Sequence, residues 1–272
     1  MYSSVRVFVG VFALASCTTV CFAQGGQASA PPKPANPLEL KAPGPGEEKA
    51  YKAFQKFQSA PDSDLAGKTK AAEDFLIKFP NSTYDSYADA FLTVAYIQAG
   101  QVDKGLAAGE KALQLNPSDF RTMGIMSQTL SRTVADNAPD TAAKLEKAET
   151  YAKNTITGVA TWVKPDSMSE GNFTGLKNET LTMGHASLGL VAIHRGNFEG
   201  AIPDLEQAVQ LGTNTDPTNY YLLGIANQNS SHYDKAAEAF EKCAAVKGTN
   251  LTSTCTSLAD QAKRDATQAK SK

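Results

Sequence analysis

The chain has 272 residues, longer than one compact core usually grows, so either two domains or one elongated repeat array fits the length. Hydrophobic residues make up 42%, charged residues 20%, and the formal net charge is −2, an ordinary balance for a water-soluble protein. No basic stripe exists to neutralise phosphates, which excludes nucleic acid as the expected partner.

The first residues read as an export signal. Arg6 supplies a positive start, Val7 to Leu14 an apolar run, and Cys21-Phe22-Ala23 a small-residue cleavage site. Residues 1–23 are then a signal peptide and the mature chain begins at Gln24, in the periplasm or secreted. The order Leu14-Ala15-Ser16-Cys17 also fits a bacterial lipoprotein signal, in which residues 1–16 are removed and Cys17 carries the lipid, giving an outer-membrane lipoprotein. Cleavage after Ala23 leaves an even pair, Cys243 and Cys255, whereas lipidation of Cys17 leaves Cys21 unpaired in an oxidising compartment, so parity favours soluble export. The apolar run is too short to span a bilayer and no later segment reaches the needed length, so no transmembrane span is expected.

Residues 24–46 carry Pro31, Pro32, Pro34, Pro37, Pro43 and Pro45 among several glycines, a composition that builds no core and reads as a disordered tether. From Glu47 onward apolar residues recur at helical spacing. Val102, Gly105, Leu106, Gly109, Ala112 and Leu113 share their steps with Phe198, Ala201, Ile202, Leu205, Ala208 and Val209, and again with Tyr233, Ala236, Ala237, Phe240, Cys243 and Ala244. Each set falls on one helix face. A second helix of matching register precedes each, carrying Leu92 and Tyr96, Leu188 and Gly189, or Leu223 and Gly224, with a turn at Gly100, Gly196 or Ser231 between them. The last two units are offset by 35 residues, a period that means stacked helix pairs.

The pattern Leu223-Gly224, Tyr233, Ala236, Phe240 resembles the tetratricopeptide repeat, and Leu92, Tyr96, Gly100, Ala112 and Pro117 resemble it as closely. Departures are Gly105 and Gly109 where the family favours alanine and an aromatic, and Ser231 for the turn glycine. The resemblance implies an all-α fold, a right-handed superhelical solenoid of antiparallel helix pairs. The expected layout is a repeat domain over 47–251 with about five pairs, an insertion at about 158–178, and a capping helix with a polar tail over 252–272. Ser118 and Pro139 are expected to open helices, Ser82 with Asp85 to form a capping box, and Phe75 to Ser82 resembles a repeat exit in outer-membrane assembly lipoproteins. Cys243 sits where Ala112 and Ala208 pack, and Cys255 near the start of the capping helix. A disulfide there would pin the cap, worth on the order of 3 kcal/mol; the alternative is two free thiols acting as small apolar residues.

No catalytic constellation emerges, so a non-enzymatic chain without cofactor or metal is expected. Gly67-Lys68-Thr69 has the end of a phosphate loop, but Asp62 stands where the loop needs its first glycine. His185 and His194 are nine residues apart, on opposite sides of one helix, and cannot share a metal; His185 is expected to pack between helices and His194 to be exposed. Trp162 is expected to fold back over helix ends, with an exposed partner anchor as the alternative. Sequons at Asn81, Asn172, Asn178, Asn229 and Asn250 read as turns and caps in a bacterial protein.

In the family, the first helix of each pair lines the concave face. There the resemblance places Tyr87, Ala90, Val94 and Gln98, then Ala186, Leu190 and His194, then Tyr221, Ile225 and Gln228, a mostly apolar groove for a partner's helix or extended peptide. Relatives that grip chaperone C-termini carry lysine, arginine and asparagine at comparable places. Val94, Leu190 and Ile225 stand there instead, so no clamp for a terminal carboxylate is expected. The expected function is an interaction scaffold in the bacterial envelope, with a lipid-anchored component of an outer-membrane or cell-wall assembly complex as the alternative. Other proteins are the expected partners.

Overall fold

The computed structural model describes residues 38–135, 138–212 and 216–271. The export signal, Cys17 and the tether as far as residue 37 lie outside the described residues. Eleven helices and no strand occur among the described residues. They form successive pairs: α1 (Glu48–Gln58) with α2 (Leu65–Lys78), α3 (Asp85–Gln98) with α4 (Val102–Leu115), α5 (Phe120–Thr133) with α6 (Thr141–Val159), α7 (Glu170–His194) with α8 (Phe198–Leu211), and α9 (Pro217–Asn229) with α10 (Tyr233–Ala245). A closing helix, α11 (Thr252–Lys270), covers α10. Short turns force the partners of a pair to run antiparallel, and each pair rests on the first helix of the next, which makes a helical-repeat solenoid.

The turns show why three units share a register. The amide after each turn residue bonds a carbonyl five residues back: Gln101 to Tyr96, Asn197 to Ala192 and His232 to Asn227. This closure needs a left-handed residue, and Gly100 (φ 75°) and Gly196 (φ 73°) supply it without a Cβ penalty. Ser231 adopts the same conformation at φ 62°, so the missing turn glycine is replaced by a residue strained into its geometry.

Helix starts are capped by Asp64, Asp119, Ser169, Asn197 and Asp216, whose side chains accept amides of the first turn. Three expected starts are corrected. Asp119, not Ser118, caps α5, because its carboxylate reaches both the amide and hydroxyl of Thr122. Asp140 precedes α6, one residue past Pro139. Ser82 accepts from the Tyr84 amide, and with Tyr84 as the N-cap residue no capping box forms.

Within pairs, small residues let helices approach. Gly224 on α9 faces the fully buried Phe240 of α10, and a Cβ there would run into the ring. Residues 158–178, expected as an insertion, divide differently: 160–169 connect two helices, and from Glu170 the chain is already α7, whose Phe173, Leu176 and Leu181 pack around Val159 and Trp162. Tertiary packing on the tryptophan supplies what glycines and threonines in this stretch withhold from helix propensity. Trp162 is 6% exposed and covers the junction.

Candidate partner-binding groove

The first helices α3, α5, α7 and α9 contact one another in turn, and the sequence-derived candidates lie on α3, α7 and α9. On α3, Tyr87, Ala90 and Val94 are half-buried and Gln98 is exposed. On α7, Leu190 and His194 are half-buried, while Ala186 is buried and offers no surface. On α9, Tyr221, Ile225 and Gln228 are half-buried. Apolar side chains left in this condition keep surface for a ligand while their inner edges fix them to the core.

The structure brings only some of these residues together. Leu190 and Tyr221 lean on one cluster built from Ala201, Leu205 and Leu223, and Tyr221 and Ile225 share another built on Phe240 and Ala262. Tyr87 belongs to the far aromatic cluster, its ring 5.8 Å from that of Phe54. Burial pushes its phenol upward in pKa. Two candidates are already engaged. Gln228 donates to Asp265 of α11 at 2.6 Å, and His194 is not the exposed histidine expected, since its Nε2 lies 3.1 Å from the Ser131 carbonyl. His185 packs between α7 and α8 with Nδ1 2.8 Å from Asp204.

Between the α3 and α7 candidates stands α5, from which the sequence reading drew no groove residue. On α5 the surface beside these helices carries Arg121, Gln128 and Arg132 around Ile125. Arg121 pairs with Glu179 at 3.2 Å and Arg132 with Asp216 at 2.9 Å, linking α5 to α7 and to the residue that caps α9. Burial pushes the Asp216 carboxyl up, but Arg132 and the bonds from Thr218 outweigh it and hold the group below its usual range. The signal was available: Arg121, Gly124, Gln128 and Arg132 have the same steps as Tyr87, Ala90, Val94 and Gln98. A second feature had no sequence signal. Residues 38–46, read as tether, lie against the first pairs: Tyr84 donates to the Lys41 carbonyl at 3.1 Å and Tyr87 to that of Glu39 at 3.4 Å.

The other motifs are structural. Lys68 lies in α2, 2% exposed and paired with Asp62 at 2.7 Å, so the phosphate-loop resemblance is a helix. Cys243 and Cys255 are fully buried, their Cα atoms 5.9 Å apart and their sulfurs at bonding distance. Among the described residues, no three His, Cys, Asp or Glu side chains stand together as a metal site, and no helix is long and apolar enough to cross a membrane.

The sequence pattern of the tetratricopeptide repeat matches residues 217–250, the unit formed by α9 and α10. No curated protein sequence matches the chain. Among solved structures, pilF of Pseudomonas aeruginosa is similar at 15% identity and a TM-score of 0.53, over 82% of this chain and 93% of that one. A tetratricopeptide-repeat protein of Thermus thermophilus aligns at 16% identity and 0.49, over 80% and 98%. MamA from Desulfovibrio magneticus aligns at 16% and 0.42, over 74% and 95%. At such identities the likeness to pilF is one of fold alone.

Proposed function

We propose that this tetratricopeptide-repeat protein is a non-enzymatic scaffold of the bacterial envelope that holds another protein on the side lined by its first helices. The observation that carries this reading is the inner face itself. Tyr87, Val94, Leu190, Tyr221 and Ile225 repeat across three helices, each half-buried, with Arg121 and Arg132 as a polar rung between them. Such alternation of apolar subsites and charge suits a peptide segment, whose side chains need pockets and whose backbone needs polar partners.

Export is supported by the signal of residues 1–23, and a Cys243–Cys255 bond belongs with it, since an oxidising compartment is where such a pair stays closed. Cross-linking in intact envelopes, comparing the natural chain with Val94→Arg, tests the scaffold. The long arginine stem keeps its charge in water, so the helix folds while the subsite is blocked. Loss of the cross-linked partner is the expected result; full retention removes the inner face as the binding surface.

The second reading, a lipid-anchored component of an outer-membrane or cell-wall assembly, rests on Leu14-Ala15-Ser16-Cys17. An intact mass equal to a chain starting at Gln24 without acyl groups excludes it.

A further inference from the structure

Leu38 to Lys41 form a short non-helical segment with two unlike neighbours. Leu40 packs against the aromatic cluster of Phe54, Phe57, Phe75 and Tyr84. Leu38 packs against Val159, Trp162 and Phe173, a cluster built by α6, α7 and their connection. The carbonyls of Glu39 and Lys41 accept from Tyr87 and Tyr84, at 3.4 and 3.1 Å. The segment therefore reaches from the first pairs to the fourth, and its contact at Tyr87 is with a residue of the inner face. Two leucine side chains and the two phenol hydrogen bonds are among the contacts that seat it, and ordering entropy offsets part of what they contribute.

We propose that this segment is a built-in ligand of the surface beside Tyr87, and that its seat is the subsite for a partner peptide of the same chemistry: non-helical, with two leucine-like side chains two residues apart. This rests on the reading of the inner face as a binding surface. Two apolar seats and two phenol donors aimed at backbone carbonyls recognise such a peptide without reading any charge. An arriving peptide must displace the chain's own copy, so apparent affinity falls by the fraction of molecules in which the seat is free.

The test uses the full chain and its Leu38→Ser/Leu40→Ser variant, with a fluorescent peptide of residues 34–43 as probe and tryptic cleavage after Lys41 as a second readout. The variant is expected to bind the probe about tenfold more tightly than the natural chain, and to be cut after Lys41 about tenfold faster, as a seat occupied nine times in ten requires. If the double variant loses helical signal, Leu38→Ser alone, farther from the first pair's core, carries the same comparison. Equal probe binding by both chains overturns the proposal, as does equal cleavage, or a released segment whose empty seat takes no probe. The scaffold reading fails separately, when Val94→Arg keeps its cross-linked partner.

Discussion

In the first two helix pairs the core is made of rings: Phe54 stacks on Tyr84 at 5.0 Å and meets Phe57, Phe75 and Tyr87 edge-on or tilted, with Phe91 beyond. In the last two pairs and the closing helix it is made mostly of alanine, with Ala201, Ala226, Ala236, Ala239, Ala259 and Ala262 around Leu205 and Phe240. Buried polarity differs in parallel. The first end buries charged groups, Lys68, Asp85 and Asp89, whereas the last buries the neutral amides Asn219 and Asn227. One architecture thus tolerates two kinds of core. The aromatic end depends on large shapes and on solvation, the alanine end on close fit and on a link between Cys243 and Cys255.

The largest effect is expected where one ring supports most of its neighbours. Phe54→Ala should cost about 3–5 kcal/mol, because a fully buried ring is lost and its partners cannot all collapse into the space. In a stack where each unit contacts only its neighbours, that loss stays local. Urea titration followed by circular dichroism should then split into two steps, with Trp162 fluorescence following the later one. A single unchanged transition would show that the two ends are not energetically separate.

Opening the Cys243–Cys255 link is the matching perturbation at the other end. The bond closes a loop of 12 residues, so the double substitution to alanine should cost about 3 kcal/mol. The loss should fall on α11, read as faster amide exchange over Thr252–Lys270 with α1 to α4 unchanged.

Acidity should separate the ends as well. Burial pushes the Asp89 carboxyl up to about 6, with Lys111 pulling it down and Asp85 adding to the rise. An acid whose folded pKa lies above its unfolded value holds its proton more tightly when folded. Its contribution is therefore favourable below about pH 4 and is lost as pH rises toward 6. Asp89→Asn should stabilise the chain at pH 7 by roughly 1–3 kcal/mol and flatten the decline between those values, as thermal melts across that range would show. Asp85, shifted in the same direction by its own burial, retains part of the slope.

Much of the fold was legible because its signals are local. Small residues at fixed steps marked the close approaches, and the closing helix begins at Thr252 as its sequence suggested. What was not legible depended on distant partners. Glu170 to Leu181 reads poorly as helix because Gly171 and Gly175 interrupt it, and the Ser169 cap together with packing on Val159 and Trp162 supports it. Register placed Tyr87, Leu190 and Ile225 on the first helices α3, α7 and α9, where each is half-buried. It said nothing of Gln228 meeting Asp265 or of Leu38 to Lys41 meeting Tyr84 and Tyr87, since those contacts join segments that no periodicity connects.

The smallest expected effect compares two glycines at equivalent kinds of contact. A methyl on Gly224 would strike the Phe240 ring, which is fully buried and hemmed by Tyr221, so the ring cannot turn aside and the helices must part. A methyl on Gly109 would strike the Sδ, Cγ and Cε of Met126, an unbranched chain that can change rotamer. Gly224→Ala should therefore cost about 1–3 kcal/mol, the range for an overpacked core. Gly109→Ala should cost under about 1 kcal/mol or even stabilise, because alanine is worth about 1 kcal/mol over glycine inside a helix. Matched urea midpoints for the two variants would decide it: equal losses would mean that the rigidity of the facing side chain does not set the tolerance of this solenoid to added bulk.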